Sequence, residues 1–267
     1  MITYPFNYHR PKSLADAAAL LKKSPDAKLL AGGQTLIATM KMRLANPSDL
    51  IDISGLKELT YIRADANAVT IGAATTHAEV AESEAIKRAL PALAELAQMI
   101  GDPAVRHKGT IGGSIANNDP AADYPAAAVA LNATIKTTER SFAAEDFFTG
   151  MFSTAINDGE IVTEISFPVA ERAAYTKFRN PASRYAMAGV FVAKTKDGAR
   201  VAVTGAGPNV FRQTEMESAL AKNFDPNAIA SIKVDASELN SDIHGSAEYR
   251  ANLVSVMAKR AVAAAMK

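Results

Sequence analysis

The chain has 267 residues, enough for one large domain or two to three smaller ones, and 48% of them are hydrophobic, which allows a sizeable core. Its 29 basic residues nearly balance its 28 acidic ones, so the composition does not favour nucleic acid or an anionic membrane as a partner. The absence of cysteine excludes a disulfide framework, a thiol nucleophile and thiolate ligands for zinc or an iron–sulfur cluster on this chain.

The N-terminal segment MITYPFNYHRPKS lacks the apolar region of a secretory signal. No apolar run reaches the length of about 18 residues that a membrane-spanning helix needs. The four histidines are scattered without acidic residues at ligand spacing, so no metal site is predicted. We therefore expect a cytoplasmic protein with no transmembrane segment.

Residues 1–56 have the pattern of a small α/β unit. Ser13 followed by Asp16 is typical of a helix N-terminus, and Ser24-Pro25 is a suitable end for that helix. A short apolar strand then leads directly into a glycine pair. The elements predicted after the first helix are a strand at 27–30, a helix at 35–43 and a strand at 49–53.

Residues 57–170 mix strands and helices. The alternation of apolar and polar residues in 60–75 predicts a hairpin, and Pro91 predicts a break in the helical pattern of 84–99. The segment 126–131 fits a helix or a strand by its periodicity. The other predicted elements are a helix at 78–83, a strand at 133–138, a short helix at 141–148 and a strand at 161–167 closed by Pro168.

Residues 171–267 are predicted to form a third part, with a three-stranded antiparallel sheet and two helices. Lys196-Asp197-Gly198 is a turn between two alternating segments. The predicted strands are 174–178, 188–195 and 199–205, and the predicted helices are 214–222 and 247–266. The fold class is therefore α+β with an α/β N-terminal part.

Two segments, LAGGQT and TIGGS, share an apolar lead-in, a Gly-Gly pair and a following polar residue. Glycine permits a positive φ and a close approach of the backbone to a ligand, and consecutive amides in such a turn can bind an anion. Two such loops could bind a pyrophosphate from both sides, which points to a dinucleotide. Neither loop matches a Walker A or G-x-G-x-x-G motif, and a tight turn with no ligand is the alternative for each pair.

Three longer segments resemble one known family: LLAGGQTLIATMKMRLANPSDLIDI, GDPAVRHKGTIGGSIANNDPAADYPAA and GEIVTEISFP. They are similar to the FAD-binding medium subunits of molybdenum hydroxylases, which include the carbon monoxide dehydrogenase medium subunits and the xanthine dehydrogenase FAD-binding subunits. The resemblance extends along essentially the whole chain. It implies a PCMH-type FAD-binding fold of two subdomains, 1–56 and 57–170, followed by a C-terminal domain at 171–267.

The resemblance also implies a set of residues around a non-covalently bound FAD. Asp123 matches an acid that hydrogen-bonds the FAD, and Ile100 matches a position that covers the flavin ring. Val162 matches an apolar contact, and Arg179 matches a basic position that is often lysine, with Lys177 as the neighbouring candidate. The two pyrophosphate loops correspond to Leu30, Ala31, Gly32, Gly33, Gln34, Thr35, Leu36 and Ile37, and to Thr110, Ile111, Gly112, Gly113 and Ser114.

Other interpretations of these residues remain open from the sequence. Asp123 is also suited to cap the helix that follows it. Ile100 and Val162 fit ordinary core positions, and Lys177 and Arg179 fit solvated positions on a strand. The chain departs from the family at Ser183-Arg184-Tyr185, where relatives often carry an acid, and this departure leaves the flavin potential open.

The resemblance implies an electron-transfer subunit of an oxidoreductase of three subunit types. A large subunit would hold molybdopterin and a small subunit two [2Fe–2S] clusters, and electrons would pass from these clusters through FAD to NAD, a quinone or oxygen. The alternatives are a scaffold or nucleotide-binding protein that has lost flavin, and a free-standing flavin reductase or oxidase.

Overall fold

A computed structural model describes residues 2–267. The N-terminal unit has a three-stranded parallel sheet of strand order β1-β3-β2. Two helices connect its strands, as the sequence pattern predicts, although strand β1 is not predicted. Its elements are β1 (Asn7–His9), α1 (Leu14–Lys23), β2 (Lys28–Leu30), α2 (Leu36–Lys41) and β3 (Asp49–Asp52).

The ends of the two helices follow from local chemistry. The hydroxyl of Ser13 accepts a hydrogen bond from the amide of Asp16, which confirms the predicted start of α1. Helix α2 ends at Lys41, two residues before its predicted end at Arg43. Arg43 has φ 59°, which is outside the helical region, and this explains the earlier end.

The second unit has a five-stranded antiparallel sheet of strand order β4-β5-β10-β6-β7. The predicted hairpin forms β4 and β5, and Pro91 begins a new helix at the predicted break. Its elements are β4 (Ile62–Ala64), β5 (Ala68–Gly72), α3 (His77–Glu82), α4 (Glu84–Ala89), α5 (Pro91–Gln98), α6 (Pro103–Arg106), α7 (Ile111–Asn117), α8 (Tyr124–Ala130), β6 (Thr134–Thr137), β7 (Ser141–Ala143), α9 (Ala144–Phe147), β8 (Phe148–Gly150), β9 (Ser153–Thr154) and β10 (Val162–Pro168).

The structure decides the conformation of two segments of this unit, 126–131 and 141–148. The segment 126–131 lies mainly in helix α8, which is buried along its whole length, so neither periodicity stands out in its sequence. The sequence predicts one short helix at 141–148, and this prediction is wrong at both ends of the segment. Phe142 pairs with Ile135 in the antiparallel ladder of β7 and β6, and only residues 144–147 are helical.

The C-terminal unit has an antiparallel sheet of strand order β11-β12-β13-β14. The three predicted strands are present, and the short β14 adds a fourth. Helix α11 packs on β11 and β12, and its apolar residues form a core with the sheet. The elements are β11 (Arg172–Arg179), β12 (Ala186–Thr195), β13 (Gly198–Thr204), β14 (Phe211–Arg212), α10 (Thr214–Lys222) and α11 (Ala247–Ala265), and short 3₁₀ helices lie at Lys57–Leu59 and Pro226–Ile229.

The second and C-terminal units share a hydrophobic core. Tyr175, Phe191 and Ala202 of the C-terminal sheet belong to the same buried cluster as helices α5 and α8. The hydroxyl of Thr204 donates to the carbonyl oxygens of Pro120 and Ala122, just before α8. Strands β11 to β13 are thus fixed against the segment that leads from α7 to α8.

Asn118 connects the end of helix α7 to the β8–β9 hairpin. It is 1% exposed and has φ 42°. Its side-chain amide donates to the carbonyl oxygens of Gly150 and Ser153, both at 2.8 Å, and its own carbonyl accepts from the amide of Phe152. Asn118 therefore orders this loop through side-chain to backbone hydrogen bonds.

We expect Asn118→Ala to lower the free energy of unfolding by about 2–3 kcal/mol, because two buried carbonyls lose their donor. Asn118→Gly is expected to be less damaging by about 1 kcal/mol, because glycine tolerates the left-handed backbone. Urea denaturation of both variants measures the two contributions. Equal losses in the two variants would contradict the predicted backbone strain.

Candidate functional site

The first glycine loop follows strand β2 at the carboxyl edge of the parallel sheet. Gly33 has φ 70°, a conformation that favours glycine. Within residues 2–267, the backbone amides of 32–35 have no hydrogen-bond acceptor, and the hydroxyl of Thr35 does not cap helix α2. The loop therefore presents consecutive free amides, an arrangement suited to bind an anion.

The second glycine loop uses its amides differently. The amides of Ile111 and Gly112 donate to the carbonyl oxygens of Thr75 and Ala73. The amide of Gly113 donates to the hydroxyl of Thr110 at 3.1 Å, and the next amide donates to the carbonyl of Thr110. The amides of 111–114 are therefore paired within the fold, because this segment is the first turn of helix α7.

The two loops lie against each other although about eighty residues separate them in the sequence. A Cβ at Gly32 would overlap the carbonyl oxygen of Lys108, so only glycine permits this contact. Gly113 is exposed, and a Cβ there would lie 3.9 Å from the Cβ of Ala31 in the first loop. Gly113 therefore adds no side chain beside the first loop.

Ile100 lies in a tight turn after helix α5 and is only partly buried against the core. Gly101 has φ 48°, which permits the turn. The guanidinium of Arg106 donates to the carbonyl of Ile100 at 2.9 Å, and the ammonium of Lys177 donates to the carbonyl of Met99 at 3.1 Å. Two cations therefore fix the backbone on either side of the Ile100 side chain.

Asp123 is the centre of a buried polar cluster. Its carboxylate accepts from the ammonium of Lys177 at 2.9 Å and from the hydroxyl of Tyr175. Burial raises the pKa of Asp123, and the neighbouring Lys177 opposes this rise. The carboxylate does not cap helix α8, which excludes the capping interpretation. Lys177 is fully buried, so it is not a solvated strand residue either.

The remaining predicted residues differ in exposure. Ile111 and Val162 are buried in the core, whereas Arg179 is exposed at a bulge between β11 and β12. The carbonyl of Thr163, next to Val162, accepts from the amide of Ala73, which in turn packs on the second loop. Around the first loop, Leu30 and Leu36 are half-buried, and Gln34 and Ile37 are exposed, while Ser114 in the second loop is half-buried.

Three residues of this region are missed by the sequence reasoning. Tyr175 precedes Lys177 by two positions, so the alternation of side chains along a strand places both residues on one face of the sheet. This alternation could have indicated Tyr175 from the sequence. Arg106 and Tyr185 have no such signal. Burial raises the pKa of the Tyr185 hydroxyl, and the charges of Asp119 and Asp123 raise it further, although 47% of the residue is exposed.

His77 lies beneath the second loop and is 5% exposed. Burial, with a smaller contribution from the charge of Arg106, lowers the pKa of His77 to about 4. Its ring contacts Tyr124 with a centroid distance of 5.4 Å, and its amide donates to the carbonyl of Gly109. The ring is therefore neutral in the folded chain at neutral pH.

The His77 environment predicts a loss of stability in mild acid. Between about pH 6.5 and 4 the unfolded histidine binds a proton and the folded one does not, so stability falls as the pH falls. We expect a loss of about 3 kcal/mol over this window. Urea denaturation from pH 7 to 4 measures it, and His77→Leu is expected to remove most of the slope. A slope unchanged in His77→Leu would assign the effect to other groups.

Within residues 2–267 no helix is long and apolar enough to cross a bilayer, and no group of three or more histidines and acids is arranged to bind a metal ion. The fold combines a parallel-sheet unit and a five-stranded antiparallel unit with a C-terminal four-stranded unit, an architecture of the FAD-binding class. Residues 4–170 match the family described as the FAD binding domain in molybdopterin dehydrogenase. Residues 173–265 match the CO dehydrogenase flavoprotein C-terminal domain. The chain belongs to this family of FAD-binding molybdenum hydroxylase medium subunits.

Curated relatives agree with this assignment over the full length. The carbon monoxide dehydrogenase medium chain of Hydrogenophaga pseudoflava is 37% identical, covering 99% of this chain and 98% of its own. The glyceraldehyde dehydrogenase medium chain of Sulfolobus acidocaldarius is also 37% identical, covering 97% and 98%. The nicotine 6-hydroxylase medium subunit of Paenarthrobacter nicotinovorans is 35% identical, covering 96% and 95%.

Solved structures have the same fold. The carbon monoxide dehydrogenase of Hydrogenophaga pseudoflava that lacks the Mo-pyranopterin moiety superposes with a TM-score of 0.90 at 37% identity, covering 100% of this chain and 99% of that chain. Quinoline 2-oxidoreductase from Pseudomonas putida 86 gives 0.91 at 27% identity, covering 99% and 98%. The predicted FAD-binding fold is confirmed, and the chain is a flavoprotein subunit of an oxidoreductase.

Proposed function

We propose that this chain binds FAD non-covalently between its two glycine loops and transfers electrons from a partner subunit to an external acceptor. The observation that supports this most directly is the row of free amides at 32–35 in a loop that lies against the second glycine loop. These groups fit a pyrophosphate, which needs hydrogen-bond donors and close backbone approach. FAD supplies the redox chemistry, and the protein positions it.

The other residues have complementary roles in this proposal. Ile100 gives the flavin ring apolar cover without aromatic stacking. The buried cluster of Asp123, Lys177 and Tyr175 orders the backbone beside the proposed cofactor site, and both carboxylate oxygens of Asp123 are bonded within this cluster. Arg179 supplies positive charge at the exposed edge of the same strand.

The electrons must come from another chain, because this one has no cysteine to bind an iron–sulfur cluster. We propose a small subunit with two [2Fe–2S] clusters and a large subunit with molybdopterin as partners. NAD, a quinone or oxygen is the proposed acceptor, and the cytoplasm the proposed location. The proposed division at 56 and 170 rests on the three main sheets, one in each unit, whereas hydrophobic clusters cross both boundaries.

The test is purification of the tagged chain from its native host, followed by a visible spectrum, identification of flavin after heat release, and iron and molybdenum analysis. We expect a yellow preparation that releases FAD and contains both metals. A yellow chain without either metal would support a free-standing flavin reductase or oxidase. A folded, colourless chain that takes up no added FAD, alone or with its partners, would support the scaffold.

A further inference from the structure

Lys177 contacts two separate segments of the second unit from a strand of the C-terminal unit. Its ammonium donates to the carbonyl of Met99 at 3.1 Å and to the carboxylate of Asp123 at 2.9 Å. Its side chain has no exposed surface. Fully buried lysines are rare in folded proteins and occur where the charge has a partner. This lysine therefore has a specific role at the junction of the units.

The carbonyl that Lys177 contacts belongs to the turn that presents Ile100. Met99 directly follows helix α5, and Gly101 turns the chain with φ 48°. Arg106 fixes the carbonyl of Ile100 from the other side. If the contact with Lys177 were lost, the turn would be fixed at one side only, by a residue of its own unit.

We propose that Lys177 is a positioning residue that fixes the Met99–Gly101 turn from strand β11 and thereby sets the position of Ile100 against the bound flavin. This inference rests on the proposed FAD site and goes beyond it. It assigns to the lysine the role of ordering the backbone turn from which Ile100 covers the flavin ring. It also makes the order of that turn depend on the docking of the C-terminal unit.

The geometry explains why a lysine is suited to this position. Its compact ammonium has three donors that point in different directions, so it reaches a carbonyl and a carboxylate at once. The second carboxylate oxygen of Asp123 is taken by Tyr175, which lies on the same face of β11. Both carboxylate oxygens are therefore bonded to residues of β11. Within residues 2–267, the hydrogen bond that joins this cluster to the turn is the one from Lys177 to Met99.

The first test uses amide hydrogen exchange in the flavin-free chain. Lys177→Met keeps the length of the side chain and removes its donors. Because a charge-assisted hydrogen bond contributes about 1.5–3 kcal/mol, we expect exchange at residues 99–102 to become about tenfold faster or more. Peptides of the β12–β13 hairpin are expected to exchange as in the wild type.

The matched control is Lys194→Met, because Lys194 lies on the adjacent strand in an exposed ion pair with Glu171. It is expected to leave exchange at 99–102 unchanged. If Lys177→Met does not fold, the Lys177→Met/Asp123→Asn double variant removes both charges at nearly constant shape and is expected to show the same local increase. Wild-type exchange at 99–102 in a folded Lys177 variant would overturn the inference.

The second test uses quenching of flavin fluorescence by iodide in the FAD-loaded chain. A displaced Ile100 exposes the ring, so we expect a quenching constant about twofold or more above wild type in Lys177→Met and an unchanged one in Lys194→Met. Faster exchange with unchanged quenching would overturn the assignment of Ile100 to the ring. Failure of the wild-type chain to bind FAD would instead contradict the proposed function, and the exchange experiment would still decide whether Lys177 orders the turn.

Discussion

A Gly113→Val variant is expected to fold and yet to lose FAD. Gly113 lies in the first turn of helix α7, where a Cβ would meet the hydroxyl of Thr110 at 3.0 Å and the Cβ of Ala31 at 3.9 Å. Valine is compatible with this backbone, which does not have a positive φ. Its two methyl groups would add bulk beside Ala31 of the first loop, where we propose that the pyrophosphate binds. Flavin content per folded chain, from the visible spectrum, measures the loss.

The neighbouring glycine provides the matched control. A Cβ at Gly112 would lie 2.6 Å from the carbonyl oxygen of Ala73, inside the core. Gly112→Val is therefore expected to unfold the second unit, since overpacking against backbone cannot relax cheaply. Circular dichroism and urea denaturation separate the two variants. Wild-type flavin content in folded Gly113→Val would show that the pyrophosphate does not lie between the loops.

This contrast shows what the sequence can and cannot predict about the two glycine pairs. Both pairs are visible in the sequence, and the structure places the two loops against each other. The role of each glycine depends on residues remote in sequence, such as Lys108 opposite Gly32 and Ala73 opposite Gly112. Local sequence therefore identifies the loops, but it does not separate the loop with free amides from the one whose amides are paired.

The secondary structure also divides into elements that local sequence signals predict and elements that depend on packing against the rest of the chain. Ser13 as a cap, Pro91 as a break and the alternation in β10 to β13 are local signals, and the structure confirms them. Helices α6 and α7 are not predicted, because the Pro and Gly residues in 103–113 have the composition of a loop. Their formation depends on the caps Asp102 and Thr110 and on the packing of Gly112.

The buried cluster is a third case, in which the resemblance supplies the residues and the structure supplies their relations. Asp123 and Lys177 are each predicted from the family, as separate contacts of FAD. Their mutual ion pair, and the bond to Met99, join elements 54 and 78 residues apart. The periodicity of the sequence does not indicate contacts between residues so far apart, because these contacts depend on how β11 packs on α5 and α8.

Asp123→Asn is expected to produce one of the largest losses of stability of any single isosteric change in this chain. It leaves the ammonium of Lys177 buried without a counter-charge. Removing one partner of a buried ion pair costs about 3–5 kcal/mol, because the remaining charge is neither solvated nor compensated. Urea denaturation at pH 7 measures the loss as a shift of the midpoint.

Two further variants show whether the effect comes from the unpaired charge. Glu171→Gln removes one partner of the exposed pair with Lys194, and we expect it to change stability by no more than about 1 kcal/mol. Adding Lys177→Met to Asp123→Asn removes the remaining buried charge and is expected to recover most of the loss, since a neutral pair of similar volume has no desolvation penalty. If the double variant were as unstable as Asp123→Asn, the lost hydrogen bonds to Tyr175 and Met99 would account for the stability of this cluster, and its charges would not.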